Sequence, residues 1–298
     1  MVQHGPLLRV YRDFGSRLAL HETESPNALP DLMRQIKEDG ADVVAFAGGD
    51  GAYMAGVTAL RNAFGEDAMP EIALAPGGTV STTARNWGLE GPLEIYAQRL
   101  LEDTLAGLSR STLRPTLRIV DDTGGDRLGF IWGAGLVARF FDAYYAQPHA
   151  GYVGAARIVT KIFLGSPFGG KLARRVLTPV PCTITVDGVK QAAPGYSLMT
   201  ASVVKNLGLH MQVLYRAAED PKLVHFVASP LGAPLLGPQM PLVLAGKRLR
   251  GKNHVDALAK EVVIAFPEPD SYVLDGDVYG CRTVTVMPGP QISVLSPG

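Results

Sequence analysis

Residues 42–60 restrict the possible folds of this chain more than any other stretch. Val43, Val44, Ala45 and Phe46 form an uninterrupted apolar run, the pattern of a strand covered on both faces. The run ends at Gly48, Gly49, Asp50 and Gly51, after which Tyr53, Met54, Val57 and Leu60 recur with helical spacing. The pattern predicts a strand, a glycine turn and the start of a helix. Such a junction offers backbone N–H groups and the positive end of a helix dipole to an anion, usually phosphate. Gly48, Gly49 and Gly51 let the backbone approach a ligand, and Asp50 is placed to handle a metal ion or a proton. The same string also reads as a tight strand-to-helix turn whose Asp caps the helix.

A second loop repeats the arrangement. Residues 72–75 are another short apolar strand, followed by Pro76, Gly77, Gly78, Thr79, Val80, Ser81 and Thr82. Gly77 and Gly78 again permit close approach, Thr79 and Ser81 supply hydroxyls, and Arg85 stands one turn into the next helix. Alone, this loop reads equally as a polar turn. Two glycine loops after consecutive strands would lie side by side at the C-terminal edge of a parallel sheet, where α/β proteins bind ligands. Together they point to a nucleotide.

These residues resemble the diacylglycerol kinase catalytic-domain lipid kinases, which include sphingosine and ceramide kinases and bacterial relatives and share a superfamily with NAD kinases. The family's Gly-Gly-Asp-Gly falls on residues 48–51, its Pro-x-Gly-Thr on 76–79 and its Asp-Gly-Glu on Asp275, Gly276 and Asp277. Residues 130–135 are similar to the segment opening its second domain, Asn206 to Gly208 to its cleft loop, and residues 291–297 to its last strand. The resemblance implies a Rossmann-like α/β nucleotide-binding domain over residues 1–113, joined by a last strand at 289–298. It also implies a β-rich sandwich domain over 114–288 that takes a lipid. ATP and Mg²⁺ are the implied cofactors. Gly48, Gly49, Gly51, Gly77, Gly78, Thr79, Ser81 and Arg85 would hold the nucleotide, Asp275 would be the base, and Asp50 and Asp277 would meet the metal and the phosphates. For Asp275 to Asp277 alone, a β-turn is the simpler reading. The chain departs from the family at Ala52, Ala55, Ser81 and Thr82, where Thr, Glu, Asn and Asp are usual, and Asp277 replaces Glu. The family's first strand is also missing, since residues 7–14 read as the following helix and 18–23 as the second strand.

Composition fits a two-domain enzyme. With 298 residues the chain is long enough for two cores, and its net charge of zero gives no global attraction to nucleic acid. Cys182 and Cys281 provide neither zinc spacing nor a disulfide framework, which fits a reducing compartment. No basic head with an apolar run opens the chain, so a cytoplasmic protein is expected, peripheral at the inner membrane face. Up to about residue 113 strands alternate with helices, the wiring of a parallel sheet; residues 90–108 form an amphipathic helix. Beyond it, strand patterns prevail at 117–120, 128–132, 182–186, 196–200, 262–266, 272–274 and 283–287, and Asp187 and Gly188 read as a hairpin turn.

Two stretches bear on the substrate. Residues 226–246 carry no charge but hold four prolines, which argue against a membrane span, and Lys247, Arg248, Arg250 and Lys252 follow at once. Residues 157–175 mix apolar groups with Arg157, Lys161, Lys171, Arg174 and Arg175. Both read either as an interface to anionic lipid or as core with a solvated basic edge. The leading expectation is an ATP-dependent lipid kinase acting on a primary hydroxyl at a membrane surface, as a monomer or homodimer. An NAD-kinase-like enzyme and a non-catalytic lipid- or nucleotide-binding protein are the alternatives.

Overall fold

The computed structural model describes residues 14, 18–23, 25–65, 67–78, 80–146 and 151–298. The chain divides into two units, Met1–Arg114 with Gln291–Gly298, and Pro115–Pro290.

In the first unit, α1 (Leu29–Glu38) leads into β1 (Val43–Gly48), α2 (Asp50–Phe64), β2 (Glu71–Pro76), α3 (Thr82–Asn86), α4 (Leu93–Leu105) and β3 (Arg110–Arg114). β1 and β2 pair in parallel from Val43 with Glu71 to Gly48 with Pro76, so both glycine loops leave the sheet at the same level. The closing strand, Ile292–Ser296, lies parallel to β2 and antiparallel to β3. α2 presses Tyr53, Met54, Val57 and Leu60 into the core, and Gly56 leaves room for the Phe46 ring. The mixed α/β character expected of this part is present. Residues 18–23 form no strand; only Leu18 and Leu20 are half-buried, and the other four side chains face solvent. The helix expected at 7–14 lies outside the described residues except for Phe14, which is helical.

The second unit is built on a ten-stranded antiparallel sheet and a separate two-stranded one. Its elements are β4 (Leu117–Asp121), β5 (Asp126–Gly129), β6 (Ile131–Gly135), α5 (Leu136–Tyr145), α6 (Tyr152–Gly165), α7 (Lys171–Leu177), β7 (Val180–Pro181) and β8 (Thr183–Val186). They continue as β9 (Val189–Lys190), β10 (Gly195–Tyr196), β11 (Leu198–Ser202), β12 (Val224–Ser229), α8 (Ala233–Leu236) and α9 (Met240–Leu244). β13 (Val255–Ala259), β14 (Val262–Leu274) and β15 (Asp277–Pro288) complete it. Two strands expected at 262–266 and 272–274 are one. Pro267 and Pro269 fall where the register of β14 against β15 shifts, and a bulge there needs no ladder N–H. β14 changes neighbour at the bulge, from β8 to β6, as strands do at the corners of sandwiches.

The helices α5 to α8 cover a second apolar cluster, in which Ile158, Ile162, Ala173, Val176 and Leu177 meet Leu198, Val227 and Leu236. The uncharged stretch thus begins as core: β12 is buried along its whole length, and the prolines after it start the short helices α8 and α9. No helix among the described residues is long and apolar enough to cross a membrane.

Candidate functional site

In the first unit the two glycine loops are stitched to each other. The Gly48 carbonyl accepts N–H groups from both Gly77 and Gly78, each at 2.9 Å. A Cβ on Gly78 would fall onto the Gly49 Cα and lie 2.9 Å from its nitrogen, so the absence of a side chain serves backbone-to-backbone contact. Ser81 is buried in the left-handed region, φ 46°, and its Oγ accepts the Gly78 N–H at 3.2 Å. The amides of the second loop are therefore directed into the protein.

Asp50 is engaged as well. Its two carboxylate oxygens accept the N–H groups of Thr82 and Thr83, both at 2.7 Å. It thereby caps α3, whose own N-cap residue, Ser81, makes no side-chain bond to the helix. The helix-capping reading and the ligand reading of this Asp are compatible, since each ionised oxygen has two lone pairs and spends one. What faces outward is the N-terminus of α2. Its N-cap is Gly49, no side chain caps it, and its first turn holds Asp50 and Gly51. Those amides and the helix dipole suit a phosphate. Beneath them Tyr53 donates to the Ala75 carbonyl at 2.9 Å, and burial raises its pKa far above the usual phenol value. Arg85 is exposed on the last turn of α3. Thr79 lies outside the described residues. A cleft of about 330 Å³ in this unit is lined by Trp87, Leu89, Ile95, Tyr96 and Arg99, and not by the glycine loops.

In the second unit Asp275 and Gly276 form the two-residue turn between β14 and β15, with φ 49° and 100°. Positive φ at both positions is the type I′ hairpin turn that Asp-Gly favours. Asp275 is 7% exposed, and its two oxygens accept the N–H groups of Phe130 and Ile131 at 2.9 Å each. The Tyr145 hydroxyl donates to the Gly276 carbonyl at 2.8 Å and clamps the turn to α5. Asp277 opens β15 as an exposed residue. The surrounding protein mass desolvates its carboxylate and raises its pKa, and its charge adds to burial in raising Tyr145 and Tyr279.

Beside the turn stands a cluster absent from the sequence reading. Asp121 accepts from Arg127 and from the Tyr272 hydroxyl, each at 2.7 Å, and Arg127 lies 4.1 Å over the Tyr279 ring. Burial alone would raise the Asp121 pKa, but donors from Thr123, Tyr272, Gly125 and Arg127 outweigh it and hold the carboxyl far below its ordinary value. Arg127 pairs with Ile119 in the hairpin of β4 and β5, and Asp121 stands two residues further along the same strand, so the alternation of the hairpin was the available signal. Gly135, in the glycine segment at 133–135, has φ 65°, and its Cβ would meet the Ser197 carbonyl at 2.6 Å. Asn206 accepts the Gly208 N–H at 3.0 Å and so shapes its own loop.

Among the described residues no group of three or more His, Cys, Asp or Glu side chains converges as a metal cage. A Mg²⁺ ion brought in on phosphates needs only one or two carboxylates besides water, and Asp50 or Asp277 suits such a single contact. The structure thus brings together Gly48, Gly49, Asp50, Gly51, Gly77, Gly78 and Ser81 in one unit, and Asp275 with Asp277 in the other.

Residues 5–109 match the family model of the diacylglycerol kinase catalytic domain. No curated protein matches the chain. Among solved structures, a diacylglycerol kinase from Bacillus anthracis strain Sterne is 15% identical with a TM-score of 0.60, covering 98% of this chain and 88% of its own. An NAD kinase from Archaeoglobus fulgidus in complex with ATP is 12% identical with a TM-score of 0.52, covering 100% of this chain and 90% of its own. At such identities the likeness is one of fold, a mixed α/β part followed by an antiparallel β-sheet part. The family match lies within the stretch that holds both glycine loops.

Proposed function

We propose that the chain is a kinase that moves the γ-phosphoryl group of ATP onto a primary hydroxyl of a lipid of diacylglycerol, ceramide or sphingoid type. The observation that carries this reading is the stitched pair of glycine loops below the uncapped start of α2, inside the stretch that matches the diacylglycerol kinase catalytic domain. Phosphoryl transfer needs phosphates held in line, charge neutralised and the attacking hydroxyl relieved of its proton. The first-turn amides of α2 take the phosphates, with Arg85 as a nearby cation. Mg²⁺, when bound, would spread the charge of the phosphates, with Asp50 or Asp277 as its carboxylate contact. Asp275, held in position by the N–H groups of Phe130 and Ile131, takes the hydroxyl proton.

One observation favours a second reading. All four carboxylate oxygens of Asp50 and Asp275 already accept peptide N–H groups, which a non-catalytic binding protein would also show. Purified protein incubated with ATP, Mg²⁺ and each lipid class in detergent micelles, with NAD as a parallel acceptor, separates the readings. Transfer to a lipid, reduced in Asp275→Asn with ATP affinity within a few-fold, supports the proposal. Phosphorylation of NAD alone would assign an NAD-kinase-like activity. ATP binding by calorimetry with no transfer to any acceptor would leave the binding protein.

A further inference from the structure

We propose that the helical layer of the second unit carries a docking face for the surface of an anionic lipid bilayer, formed by the outward stripe of α6 and the turn and helix that follow it. α6 is held to the protein by one side: Ile158 and Ile162 are each 2% exposed in the apolar cluster. Val153, Arg157, Thr160, Lys161 and Leu164 recur three, four or seven residues apart, so they share a stripe of roughly 100° on the other side. Val153 is 71% exposed, Leu164 70%, and Phe168 in the turn after the helix 89%. Large apolar side chains are exposed singly on most proteins, and three along one helix and its end need a partner.

The charge says which partner. From residue 143 to residue 186 there is no Asp or Glu, while Arg157, Lys161, Lys171, Arg174 and Arg175 are all present and exposed. The segment that supplies α8 and α9, residues 221–255, is equally free of carboxylates. In a chain of zero net charge, these two segments are thus locally basic. Cations interleaved with protruding apolar groups match an anionic bilayer surface, where the apolar groups sink to the acyl boundary and the cations meet headgroup phosphates. With no helix long enough to span, the contact is peripheral. The purpose of the face rests on the lipid-acceptor reading, but its binding needs neither nucleotide nor turnover.

Sedimentation with vesicles of phosphatidylcholine, with and without phosphatidylglycerol, at low and high salt tests it. Wild type should bind the anionic vesicles and release them at high salt. Arg157→Gln with Lys161→Gln should weaken binding about thirtyfold, at about fivefold per cation. Leu164→Ser with Phe168→Ser should weaken it at least about tenfold, while Lys190→Gln with Lys260→Gln, exposed cations on the sheet, should bind as wild type. All six side chains are exposed, so unchanged melting curves are expected. Wild type that ignores phosphatidylglycerol, or a face variant that binds as well as wild type, overturns the proposal. Loss in the charge variant with none in the apolar one also overturns it, because an acidic protein or any polyanion would then serve. Vesicle binding without phosphate transfer to any lipid would defeat the kinase reading and leave the docking face standing.

Discussion

Replacing Asp50 by Asn separates its structural work from any chemistry it performs. The substitution preserves shape but turns one oxygen into an NH₂ group that faces a peptide N–H. One of the two 2.7 Å bonds to Thr82 and Thr83 is lost, and the other loses its charge. Hydrogen bonds to charged groups contribute about 1.5–3 kcal/mol and neutral ones about 1. The loss is therefore about 2–5 kcal/mol, and because Thr82 and Thr83 are buried, water does not easily replace the missing acceptor. For a unit of this size that is a fall in Tm of roughly 10 °C. Trp87 lies in the first unit and Trp132 in the second, so fluorescence melting in a Trp132→Phe background reports the first unit alone. Asp50→Asn should thus lose stability together with phosphoryl transfer. A variant that melts within a degree of its parent yet fails to turn over would refute the capping argument and leave Asp50 wholly to the chemistry.

Two further outcomes follow from the geometry. Gly78→Ala drives a Cβ onto the backbone of Gly49 and should cost about 1–3 kcal/mol by overpacking. Gly49→Ala, whose Cβ would stop 3.4 Å from the Gly78 Cα, should be tolerated better in the same denaturation series; the reverse order would mean the loops are not packed as described. Asp121 has a depressed pKa, so its contribution is complete above the unfolded value of about 3.9 and is lost as pH falls through the folded one. Asp121→Asn should therefore lower the urea midpoint at pH 7 and pH 5 alike, with the gap to wild type closing only below about pH 4. A gap that widens on acidification would contradict the assignment.

How much of this was legible follows from what each residue depends on. The strand-loop-helix junctions at 43–60 and 72–86 are local: apolar runs, glycines and helical spacing within one window determine them. The Asp187-Gly188 hairpin is likewise written in two residues. The partners of Asp50 and Asp275 are not, since Thr82 and Thr83 lie 32 and 33 positions away and Phe130 and Ile131 about 145. The same holds for the stitching of Gly77 and Gly78 onto Gly48, which directs inward amides that the sequence alone offers to a phosphate. Residues 226–229 look interfacial by composition because a fully buried strand and a membrane-facing segment share one signature, absence of charge. Only the sheet pairing of β12 with β11 and β13 tells them apart.

The two Asp-Gly turns of the second unit mark where motif reading ends and site reading begins. Asp187 and Asp275 have φ of 47° and 49°, each precedes a glycine of positive φ, and each carboxylate accepts two peptide N–H groups. The turn and its bonding are therefore common to both and cannot by themselves indicate chemistry. Asp187 is exposed and receives both donors on a single oxygen, with the other left to solvent. Asp275 is buried, receives one donor on each oxygen, and sits two residues before Asp277, whose carboxylate pKa is raised, in a turn clamped by Tyr145. A general base needs a carboxylate fixed in position. That combination, and not the Asp-Gly string, is what distinguishes Asp275. Asp187→Asn is a control for the turn alone: it can keep both bonds on its remaining oxygen, whereas Asp275→Asn turns one accepting oxygen into an NH₂ group and loses a bond. A loss of turnover therefore speaks for the proton transfer only where the Asp275→Asn protein is shown by its melting curve to be folded at the assay temperature.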